Sequence, residues 1–298
     1  SRVYFNCKPR NMEKIKLKKV LILGSTGMLG HVVYSLLNKV PTFKLMDISY
    51  KDKLNPSTII CDVTNTKKLE TIFLTIKPDI IINCIGVLIQ GTFKSVERAI
   101  FLNAYFPHWL KNICDGMNCK LIHISTDCVF SGTKGKYSEK SIPDAIDAYG
   151  RTKALGEFDL QNHLCIRTSI IGPELKQNGE GLLHWLFKQK GNVYGYKNVF
   201  WSGVTTLQLS KAIVFAIENE IDGLWNLTNG IEISKYELIE NIIKTFNLNK
   251  ISLLENQVII SNKSLTSERC IAYVVPSYEK MNDELKSFYQ KNIKLYTY

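Results

Sequence analysis

The sequence predicts an α/β fold in which a doubly wound parallel sheet is followed by a smaller C-terminal α/β lobe. Short apolar runs alternate with segments of helical periodicity over the first half of the chain. Several of these runs are apolar at successive positions, which is typical of strands that are covered on both faces. A glycine-rich turn separates the first strand from the first helix. Together these observations favour parallel strands joined by helical crossovers.

Apolar spacing defines the predicted elements in chain order. The strands are β-branched or aliphatic runs at Lys19–Leu23, Phe43–Ile48, Thr58–Cys61, Ile80–Cys84, Lys120–Ser125, Cys165–Ile170, Gly223–Leu227 and Ile251–Leu254. The helices carry apolar residues three and four positions apart, at Met28–Leu37, Thr66–Ile76, Lys94–Cys114, Tyr149–Leu160, Gly181–Gln189, Thr206–Glu218, Ser234–Phe246 and Tyr278–Lys291. From about residue 171 the alternation gives way to Gly- and Asn-rich loops. We therefore predict a flexible extension over residues 1–16, a sheet domain over 17–170, and a lobe over 171–298 that is interleaved with it.

Length and composition are those of a globular protein without a membrane segment. The chain has 298 residues, 45% of them hydrophobic and 22% charged, enough to bury a core without metal or disulfide bonds. No apolar run approaches the roughly 20 residues that span a bilayer. The charged residues 1–19 lack the apolar run of a secretory signal, so we expect a cytoplasmic protein. The eight cysteines include no CxxC pair, which predicts free thiols and no metal site.

The net charge of +11 permits a polyanionic partner, but its distribution argues against nucleic acid. Only six of the 38 basic residues are arginine, and the 32 lysines are scattered along the chain. Nucleic-acid binders concentrate Arg and aromatic residues on one surface. We therefore expect no nucleic-acid partner, whereas a small phosphorylated ligand is compatible with the charge.

A glycine loop between the first strand and the first helix predicts a dinucleotide site. Its sequence is Gly24-Ser25-Thr26-Gly27-Met28-Leu29-Gly30, with glycines at relative positions 0, 3 and 6. Glycine permits the tight turn and close backbone approach to a pyrophosphate, and the helix N-terminus offers N–H donors to the anion. This context predicts a Rossmann-like sheet domain, although the spacing is GxxGxxG rather than GxGxxG.

Later strand ends supply further candidate cofactor contacts. Asp47 lies 23 residues after the first glycine, where an acid bonds the adenosine ribose of NAD. Lys51 and Lys53 follow it and are suited to a 2′-phosphate, so NADPH and NADH both remain open. We expect Asp62-Val63 to meet the adenine and the backbone of Cys84-Ile85-Gly86 to approach the cofactor.

Two groups of residues predict acid–base chemistry. Tyr149 and Lys153 are spaced i,i+4 on one helix face, where an ammonium lowers the pKa of a neighbouring phenol. Ser125 and Thr126 follow the fifth strand, where a hydroxyl can hydrogen-bond a substrate carbonyl oxygen. All four residues are expected at the carboxyl edge of the sheet, where ligands bind.

These motifs together resemble the extended short-chain dehydrogenase/reductases, and within them the dTDP-4-dehydrorhamnose reductase branch. The resemblance covers about residues 17 to 290. The residues that carry it are the glycine loop, Ser125-Thr126-Asp127-Cys128-Val129-Phe130-Ser131-Gly132, Tyr149-Gly150-Arg151-Thr152-Lys153, Arg167-Thr168-Ser169, Gly223-Leu224-Trp225-Asn226-Leu227 and Ile233-Ser234-Lys235-Tyr236-Glu237-Leu238.

The resemblance implies reduction by a nicotinamide cofactor of the C4 ketone of a nucleotide-linked 4-keto-6-deoxyhexose. By matching position, Tyr149 would protonate the new hydroxyl oxygen and Lys153 would hold the nicotinamide ribose. Thr126 would polarise the ketone. Trp201 and Arg269 are candidates for contacts to the base or the phosphates, and packing within the lobe is an equal expectation for Trp201.

Cys128 departs from the aromatic residue that is commoner at this position of the branch. Its spacing from Thr126 resembles that of the acid/base cysteine in GDP-fucose synthases, which implies 3-epimerisation before reduction as an alternative. Lys176 or His184 would then act on the opposite face of the sugar. His123, just before the catalytic hydroxyls, is expected to be a packed core histidine.

Other functions of the same superfamily stay open. A redox-neutral nucleotide-sugar epimerase would share the cofactor, whereas a dehydratase commonly carries an acid pair and only Asp127 is present here. A regulatory subunit is the non-enzymatic alternative, because the β subunit of methionine adenosyltransferase resembles this branch. Many relatives dimerise through helices of the sheet domain, so a homodimer is possible.

Overall fold

Strands and helices alternate along residues 17–296, which the computed structural model describes. The predicted flexible extension over residues 1–16 lies outside this range. The strands are β1 (Lys18–Leu23), β2 (Phe43–Ser49), β3 (Ile59–Ile60), β4 (Ile80–Asn83), β5 (Lys120–Ser125), β6 (Leu164–Arg167), β7 (Ile170–Ile171), β8 (Gly191–Tyr196), β9 (Val199–Trp201), β10 (Val204–Thr205), β11 (Gly223–Asn226), β12 (Ile233–Ser234), β13 (Ile251–Asn256) and β14 (Ser261–Asn262). The helices are α1 (Gly30–Leu37), α2 (Thr66–Ile76), α3 (Ile89–Lys94), α4 (Val96–Ala99), α5 (Phe106–Met117), α6 (Ala148–Leu155), α7 (Leu182–Phe187), α8 (Thr206–Glu218), α9 (Lys235–Phe246) and α10 (Tyr278–Lys291). A π-helical segment, Ile100–Tyr105, joins α4 to α5, and 3₁₀ turns cover Asp127–Val129 and Ile293–Leu295.

Seven parallel strands form the central sheet in the order β11-β6-β5-β4-β1-β2-β3. The predicted doubly wound α/β fold is therefore confirmed. The strand order reverses between β1 and β4, since β2 and β3 extend the sheet in one direction and β4 to β6 in the other. Connections that leave these two strands diverge to opposite faces, which opens a crevice at their carboxyl ends.

The central strands are buried on both faces. Along β1, Val20 and Ile22 pack into the apolar cluster that includes α1, α8 and α10, whereas Leu21 and Leu23 pack into the cluster that includes α2 and α5. All four side chains are fully buried. The alternation follows from the two-residue period of a strand, and it explains why β1 is an uninterrupted apolar run in the sequence.

Residues 206–226 return to the sheet after the chain has entered the second lobe. Helix α8 packs against α1, and β11 pairs with β6 at the edge of the central sheet. The sheet layer therefore includes elements that follow residue 171.

The smaller lobe contains more strands than the sequence predicts. Strand β8 pairs with β13, and β9 pairs with β12 and β14. Several of these strands have only two or three residues, too few for a two-residue period to be visible in the sequence. Helices α7, α9 and α10 pack around them and against the first apolar cluster.

Three predicted elements differ from the structure. The helix expected over Lys94–Cys114 begins two residues later, because Ser95 is extended and caps α4 through a hydrogen bond from the Arg98 N–H, and its middle is the π-helical segment Ile100–Tyr105. The helix expected to reach Leu160 ends at Leu155. The strand expected over Cys165–Ile170 is two strands, and the second, β7, pairs with β10 outside the central sheet.

The contact between the glycine loop and α1 can be tested at Gly30. A Cβ atom at Gly30 would lie 2.1 Å from the Gly24 carbonyl oxygen, so Gly30→Ala must push α1 away from β1. We expect Gly30→Ala to lower the free energy of unfolding by about 1–3 kcal/mol. Gly116→Ala is the matched control, because no heavy atom lies within 4 Å of its added Cβ in α5. Alanine should stabilise that helix by up to about 1 kcal/mol. Urea denaturation of both variants measures the difference, and equal effects would contradict the packing.

Candidate active site

A cleft of about 710 Å³ lies at the carboxyl edge of the sheet, over the point where the strand order reverses. One wall is the glycine loop, and another is formed by residues 84–91, which follow β4. Residues 124–128 and α6 form the floor, and residues 168–181 close the cleft from the side of the smaller lobe. The volume is within the range of small-molecule sites.

The glycine loop presents unused backbone donors to this cleft. Gly24 has a φ of +82°, a conformation that favours glycine, and the missing Cβ of Gly30 allows α1 to start directly behind the turn. Among the described residues, the N–H groups of Thr26, Met28 and Leu29 donate to no protein acceptor. All three residues line the cleft. The free donors of this loop are suited to the pyrophosphate of a dinucleotide.

Asp47 does not face the cleft, which corrects its predicted contact with the ribose. Its carboxylate accepts hydrogen bonds from the Ser25 hydroxyl at 2.6 Å and from the Asn55 amide at 3.1 Å. The side chain is buried, and β2 continues past it to Ser49. Asp47 and Ser25 thus brace the glycine loop from behind.

Two basic side chains lie beside Tyr50, the exposed residue that follows β2. The Lys51 ammonium lies 5.0 Å from the ring centre of Tyr50, and the Arg98 guanidinium lies 5.5 Å from it. Arg98 reaches this place from α4. Lys53 instead bonds the Pro56 carbonyl oxygen at 3.4 Å. Lys51 and Arg98 therefore both lie beside Tyr50, the first residue after β2.

The other predicted cofactor contacts divide into two groups. Cys84, Ile85 and Gly86 line the cleft, and burial raises the pKa of the Cys84 thiol to about 12. Asp62 and Val63 follow β3 at the same sheet edge but lie outside the cleft lining. Asp62 accepts hydrogen bonds from the N–H and hydroxyl of Thr64, and Val63 is buried in the core.

Thr126, Cys128, Tyr149 and Lys153 converge on the floor of the cleft. The Thr126 hydroxyl donates to Asp127 at 3.2 Å and accepts the Cys128 N–H at 3.1 Å. Helix α6 approaches this turn closely, because a Cβ at Gly150 would lie 2.2 Å from the Cys128 carbonyl oxygen. The missing side chain at Gly150 thus lets Tyr149 come within hydrogen-bonding reach of Thr126.

Lys153 is tied to the strand beneath it. Its ammonium donates to the Ile124 carbonyl oxygen at 2.7 Å, and a Cβ at Gly86 would lie 3.9 Å from its Nζ. Burial lowers the pKa of Lys153 to about 8, with smaller opposing effects from Cys165 and Glu157. The Lys153 ammonium therefore extends from α6 toward the wall that contains Gly86, where a cofactor ribose is expected.

Burial, rather than the lysine, dominates the pKa of Tyr149. Removal from water raises the pKa of the phenol, the neighbouring Cys128 adds to the rise, and the Thr126 hydrogen bond opposes it. The sequence instead predicts a phenol pKa lowered by Lys153. At neutral pH the phenol of this structure is protonated, which is the state that a general acid needs.

Cys128 carries a thiol rather than a thiolate. Burial raises its pKa to about 12, the neighbouring Asp127 adds to the effect, and Lys263 opposes it. Burial also raises the pKa of Asp127, against the charges of Lys235 and Lys263. The two lysines approach this turn from the smaller lobe.

Of the two residues expected to act with Cys128, the structure brings only Lys176 into the cleft. His184 is buried in α7, and its Nε2 lies 3.0 Å from the Gln177 carbonyl oxygen. The orientation of α7 turns this histidine toward the loop before it, away from the cleft lining.

Ser125 lines the cleft, but its hydroxyl points inward. It donates to Glu157 at 2.5 Å, and Arg167 forms two hydrogen bonds to the same carboxylate, at 2.9 and 2.6 Å. Arg167 also lies 4.9 Å from the ring centre of Phe130. Ser125 is thus committed to a buried ion pair that supports the floor, rather than to a substrate.

The structure does not bring Trp201 or Arg269 to the cleft, which corrects their predicted substrate contacts. Trp201 is buried in the core beneath the Lys235 ammonium, which lies 5.3 Å from its ring centre. Arg269 bonds the carbonyl oxygens of Asp222 and Leu224. These groups lie at the amino end of β11, the sheet edge opposite the cleft.

His123 is a core histidine, as expected. It is fully buried against Phe158 and lies 3.1 Å from the Asn83 amide. Burial lowers its pKa well below the usual value, with a smaller effect from Lys153. The imidazole is therefore neutral and belongs to the sheet rather than to the cleft.

Three residues near the site are absent from the prediction based on the sequence. Asn103, in the π-helical segment, exchanges hydrogen bonds with the Val87 backbone at 2.8 and 3.0 Å and donates to Thr152 at 3.3 Å. An amide within the apolar run FLNAYF is the signal that could reveal it. No local sequence pattern indicates that Lys235 and Lys263 lie near Asp127, because their position depends on how the smaller lobe packs.

Within residues 17–296, no helix is both long and apolar enough to span a bilayer. No cluster of His, Cys, Asp and Glu side chains in the same range is arranged to hold a metal ion.

A dinucleotide loop facing a Tyr–Lys helix, in this sheet order, defines an extended short-chain dehydrogenase/reductase-type fold. The chain belongs to the RmlD substrate-binding domain family, whose profile matches residues 18–271. The predicted resemblance to this branch is thereby confirmed.

Individual relatives carry different names. Methionine adenosyltransferase 2 subunit beta of Xenopus laevis is 26% identical over 247 residues, which are 78% of this chain and 73% of that protein. The dTDP-4-keto-6-deoxy-D-glucose reductase of Streptomyces niveus is 26% identical over 225 residues, 73% of this chain and 75% of the relative. The structure of dTDP-4-dehydrorhamnose reductase from Bacillus anthracis in complex with NADP has the same fold, with a TM-score of 0.78 at 21% identity, over 91% of this chain and 99% of that one. Family and fold support the expected NAD(P)H cofactor.

The charge on Lys153 predicts a pH dependence of cofactor binding. Because the pKa of Lys153 in the folded protein is about 8, its ammonium is lost as pH rises through that value. We expect NADPH affinity to fall about two- to fivefold between about pH 7 and about pH 9.5, as one charged hydrogen bond weakens. Calorimetric titration at several pH values measures it. Lys153→Met should bind NADPH weakly with a flat profile over this range, and an unchanged slope in this variant would contradict the assignment.

Proposed function

We propose that the chain uses NAD(P)H to reduce the C4 ketone of a nucleotide-linked 4-keto-6-deoxyhexose. The observation that carries the proposal is the convergence of Thr126, Tyr149 and Lys153 on one floor of a cleft whose wall is the dinucleotide loop. The name of the Streptomyces niveus relative supports the substrate class. The reaction would belong to rhamnose-type deoxysugar biosynthesis.

Tyr149 is the general acid of the proposed reaction. Its phenol is protonated at neutral pH because burial raises the pKa, and it lies next to the Thr126 hydroxyl. The phenol can donate a hydrogen bond to a ketone oxygen, and the Thr126 hydroxyl can do so when it turns from Asp127 to the substrate. These bonds strengthen as negative charge develops on that oxygen. The phenol then transfers its proton to the new alkoxide.

Lys153 positions the reacting partners. Held by the Ile124 carbonyl oxygen and close to Gly86, its ammonium is placed to bond the ribose hydroxyls of a nicotinamide nucleotide. The cofactor supplies the hydride. The positive charge of Lys153 also favours the phenolate that Tyr149 becomes after proton transfer. The phenolate then regains its proton from solvent.

The substrate diphosphate has candidate partners in the smaller lobe. Lys235 and Lys263 both lie close enough to Asp127 to affect the pKa of its carboxyl group, and Lys263 also affects the pKa of the Cys128 thiol. Burial lowers the pKa of Lys235, which indicates an ammonium withdrawn from water. An anion at this place would compensate that cost. The charges suit dTDP and UDP sugars alike, with a hydroxyl or an acetamido group at C2.

A plain reductase fits the cleft better than an epimerase-reductase. Exchange of a proton on the sugar carbon requires a base, and the raised pKa of Cys128 keeps its thiol protonated. Epimerisation also requires a group on the opposite face, for which only Lys176 of the two candidates lines the cleft.

NADPH is the proposed cofactor form. The buried Asp47 carboxylate, occupied by Ser25 and Asn55, cannot repel a 2′-phosphate at the cleft. Lys51 and Arg98 flank Tyr50 at the end of β2, where the adenosine ribose is expected. Two cations at this place favour the phosphorylated ribose.

A regulatory subunit is the second candidate, favoured by the Xenopus laevis relative. Such a role does not require proton transfer by Tyr149. The complete set of Thr126, Tyr149 and Lys153 on the cleft floor supports the enzyme instead.

Tyr149→Phe tests the proposed acid. Loss of proton donation should lower kcat for dTDP- or UDP-4-keto-6-deoxyhexose reduction by about 10²–10⁴-fold, with NADPH affinity nearly unchanged. NADPH absorbance gives the rate. Tyr105→Phe is the control, because Tyr105 is exposed outside the cleft, and it should react like the wild type. Unchanged turnover in Tyr149→Phe would contradict the mechanism, and no turnover in the wild type with either sugar would favour the regulatory role.

Deuterated buffer separates the plain reductase from the epimerase-reductase. We expect the reduced sugar to carry no deuterium on a ring carbon, because Cys128 stays protonated. Mass spectrometry of the product after back-exchange in water measures this. Incorporation of deuterium in the wild type that disappears in Cys128→Ser would overturn the plain reductase and establish epimerisation.

Lys51→Ala and Arg98→Ala test the choice of cofactor. Each should weaken NADPH binding by about 5- to 20-fold through loss of a charged hydrogen bond to the 2′-phosphate, with NADH affinity unchanged. Lys44→Ala removes an exposed charge from the opposite end of the same strand and serves as the control. Equal losses for NADPH and NADH would contradict recognition of the 2′-phosphate.

A further inference from the structure

A histidine in the first turn of α1 connects the glycine loop to the smaller lobe. His31 is buried, with 1% of its surface exposed. Its Nδ1 lies 2.8 Å from the Gly27 carbonyl oxygen, and its Nε2 lies 3.1 Å from the Tyr296 hydroxyl. Neither His31 nor Tyr296 lines the cleft. The imidazole therefore lies behind the loop, on the side away from the cleft.

Both hydrogen bonds have a fixed direction. A carbonyl oxygen only accepts, so Nδ1 must carry the proton in its bond to Gly27. Burial lowers the pKa of His31 to about 4, so the ring is neutral and Nε2 has a free lone pair. The Tyr296 hydroxyl must then donate to Nε2. Tyr296 thus selects the Nδ1–H tautomer that Gly27 requires.

The Gly27 carbonyl oxygen accepts two hydrogen bonds from His31, and the one from the imidazole is the shorter, at 2.8 Å. The helical bond from the His31 N–H to the same oxygen is long, at 3.4 Å. The peptide between Gly27 and Met28 is planar and trans, so its N–H points opposite to its C=O. Holding the Gly27 carbonyl oxygen toward His31 therefore directs the Met28 N–H away from the helix, and Met28 lines the cleft.

Tyr296 is in turn held by aromatic rings of the smaller lobe. It stacks on Tyr289 of α10 with ring centres 4.8 Å apart and an interplanar angle of 11°. Tyr289 contacts Phe187 of α7 at 5.3 Å and Phe246 of α9 at 6.1 Å. Three helices of the smaller lobe thereby fix the position of one hydroxyl group behind the dinucleotide loop.

We propose that His31 and Tyr296 are positioning residues for the dinucleotide, and that the Tyr296 hydroxyl raises cofactor affinity by orienting the Gly27–Met28 peptide through His31. The inference concerns cofactor binding alone and does not depend on the sugar substrate. Its failure and the failure of the proposed sugar reduction are therefore distinguishable.

Titration calorimetry with NADPH, in the absence of sugar, tests the proposal. Tyr296→Phe removes only the hydroxyl, and we expect the Kd to rise about 3- to 10-fold. Tyr289→Phe is the matched control, because within the described chain its hydroxyl makes no hydrogen bond and its ring keeps the stacking. It should bind like the wild type. The variant His31→Asn keeps a donor for Gly27 but offers Tyr296 no ring nitrogen. In this background, Tyr296→Phe should have no further effect on the Kd for NADPH.

The tautomer of His31 can be measured directly. It would not change if the Tyr296 hydroxyl contributed only to packing. Nitrogen-15 NMR of the wild type should show His31 neutral with the proton on Nδ1, and Tyr296→Phe should raise the fraction with the proton on Nε2. A wild-type Nε2–H tautomer would overturn the proposal, without reliance on any variant. Equal NADPH affinity of Tyr296→Phe and Tyr289→Phe would also overturn it, as would a wild type that binds no dinucleotide.

Discussion

The reversal of strand order between β1 and β4 is the constraint on which the arrangement of the cleft depends. It sends the connections after these two strands to opposite faces and leaves their carboxyl ends open between them. The glycine loop follows β1, and the Gly86 turn follows β4. Because β5 lies next to β4, Thr126 and the helix that carries Tyr149 close the floor of the same crevice. Residues more than a hundred positions apart are thus brought together by strand order alone.

A buried ion pair supports that floor. Arg167 at the end of β6 binds both oxygens of Glu157, and Ser125 at the end of β5 donates to the same carboxylate. Burial of two charges is costly, and a bidentate geometry with an added hydroxyl donor offsets much of the cost. The result is a fixed distance between the ends of two neighbouring strands. Because Thr126 directly follows Ser125, its position is fixed as well.

The fold and the main chemical groups of the site could be predicted from the sequence, because both depend on local patterns. Apolar runs, the glycine spacing and the Tyr149–Lys153 interval are each contained within one element. Contacts between distant segments could not be predicted in this way. The occupation of Asp47 by Ser25 and Asn55, the inward turn of His184 and the return of Arg269 to the amino end of β11 all depend on tertiary packing. The same holds for the approach of Lys235 and Lys263 to Asp127.

In the proposed reaction a hydride passes from the cofactor to a sugar ketone above Thr126 and Tyr149. This transfer can be followed with NADPH that carries deuterium at the transferable position of the nicotinamide ring, together with a nucleotide-linked 4-keto-6-deoxyhexose in ordinary water. We expect one deuterium per product molecule, located at C4 of the sugar by NMR. A product without the label, or with the label at another carbon, would contradict it.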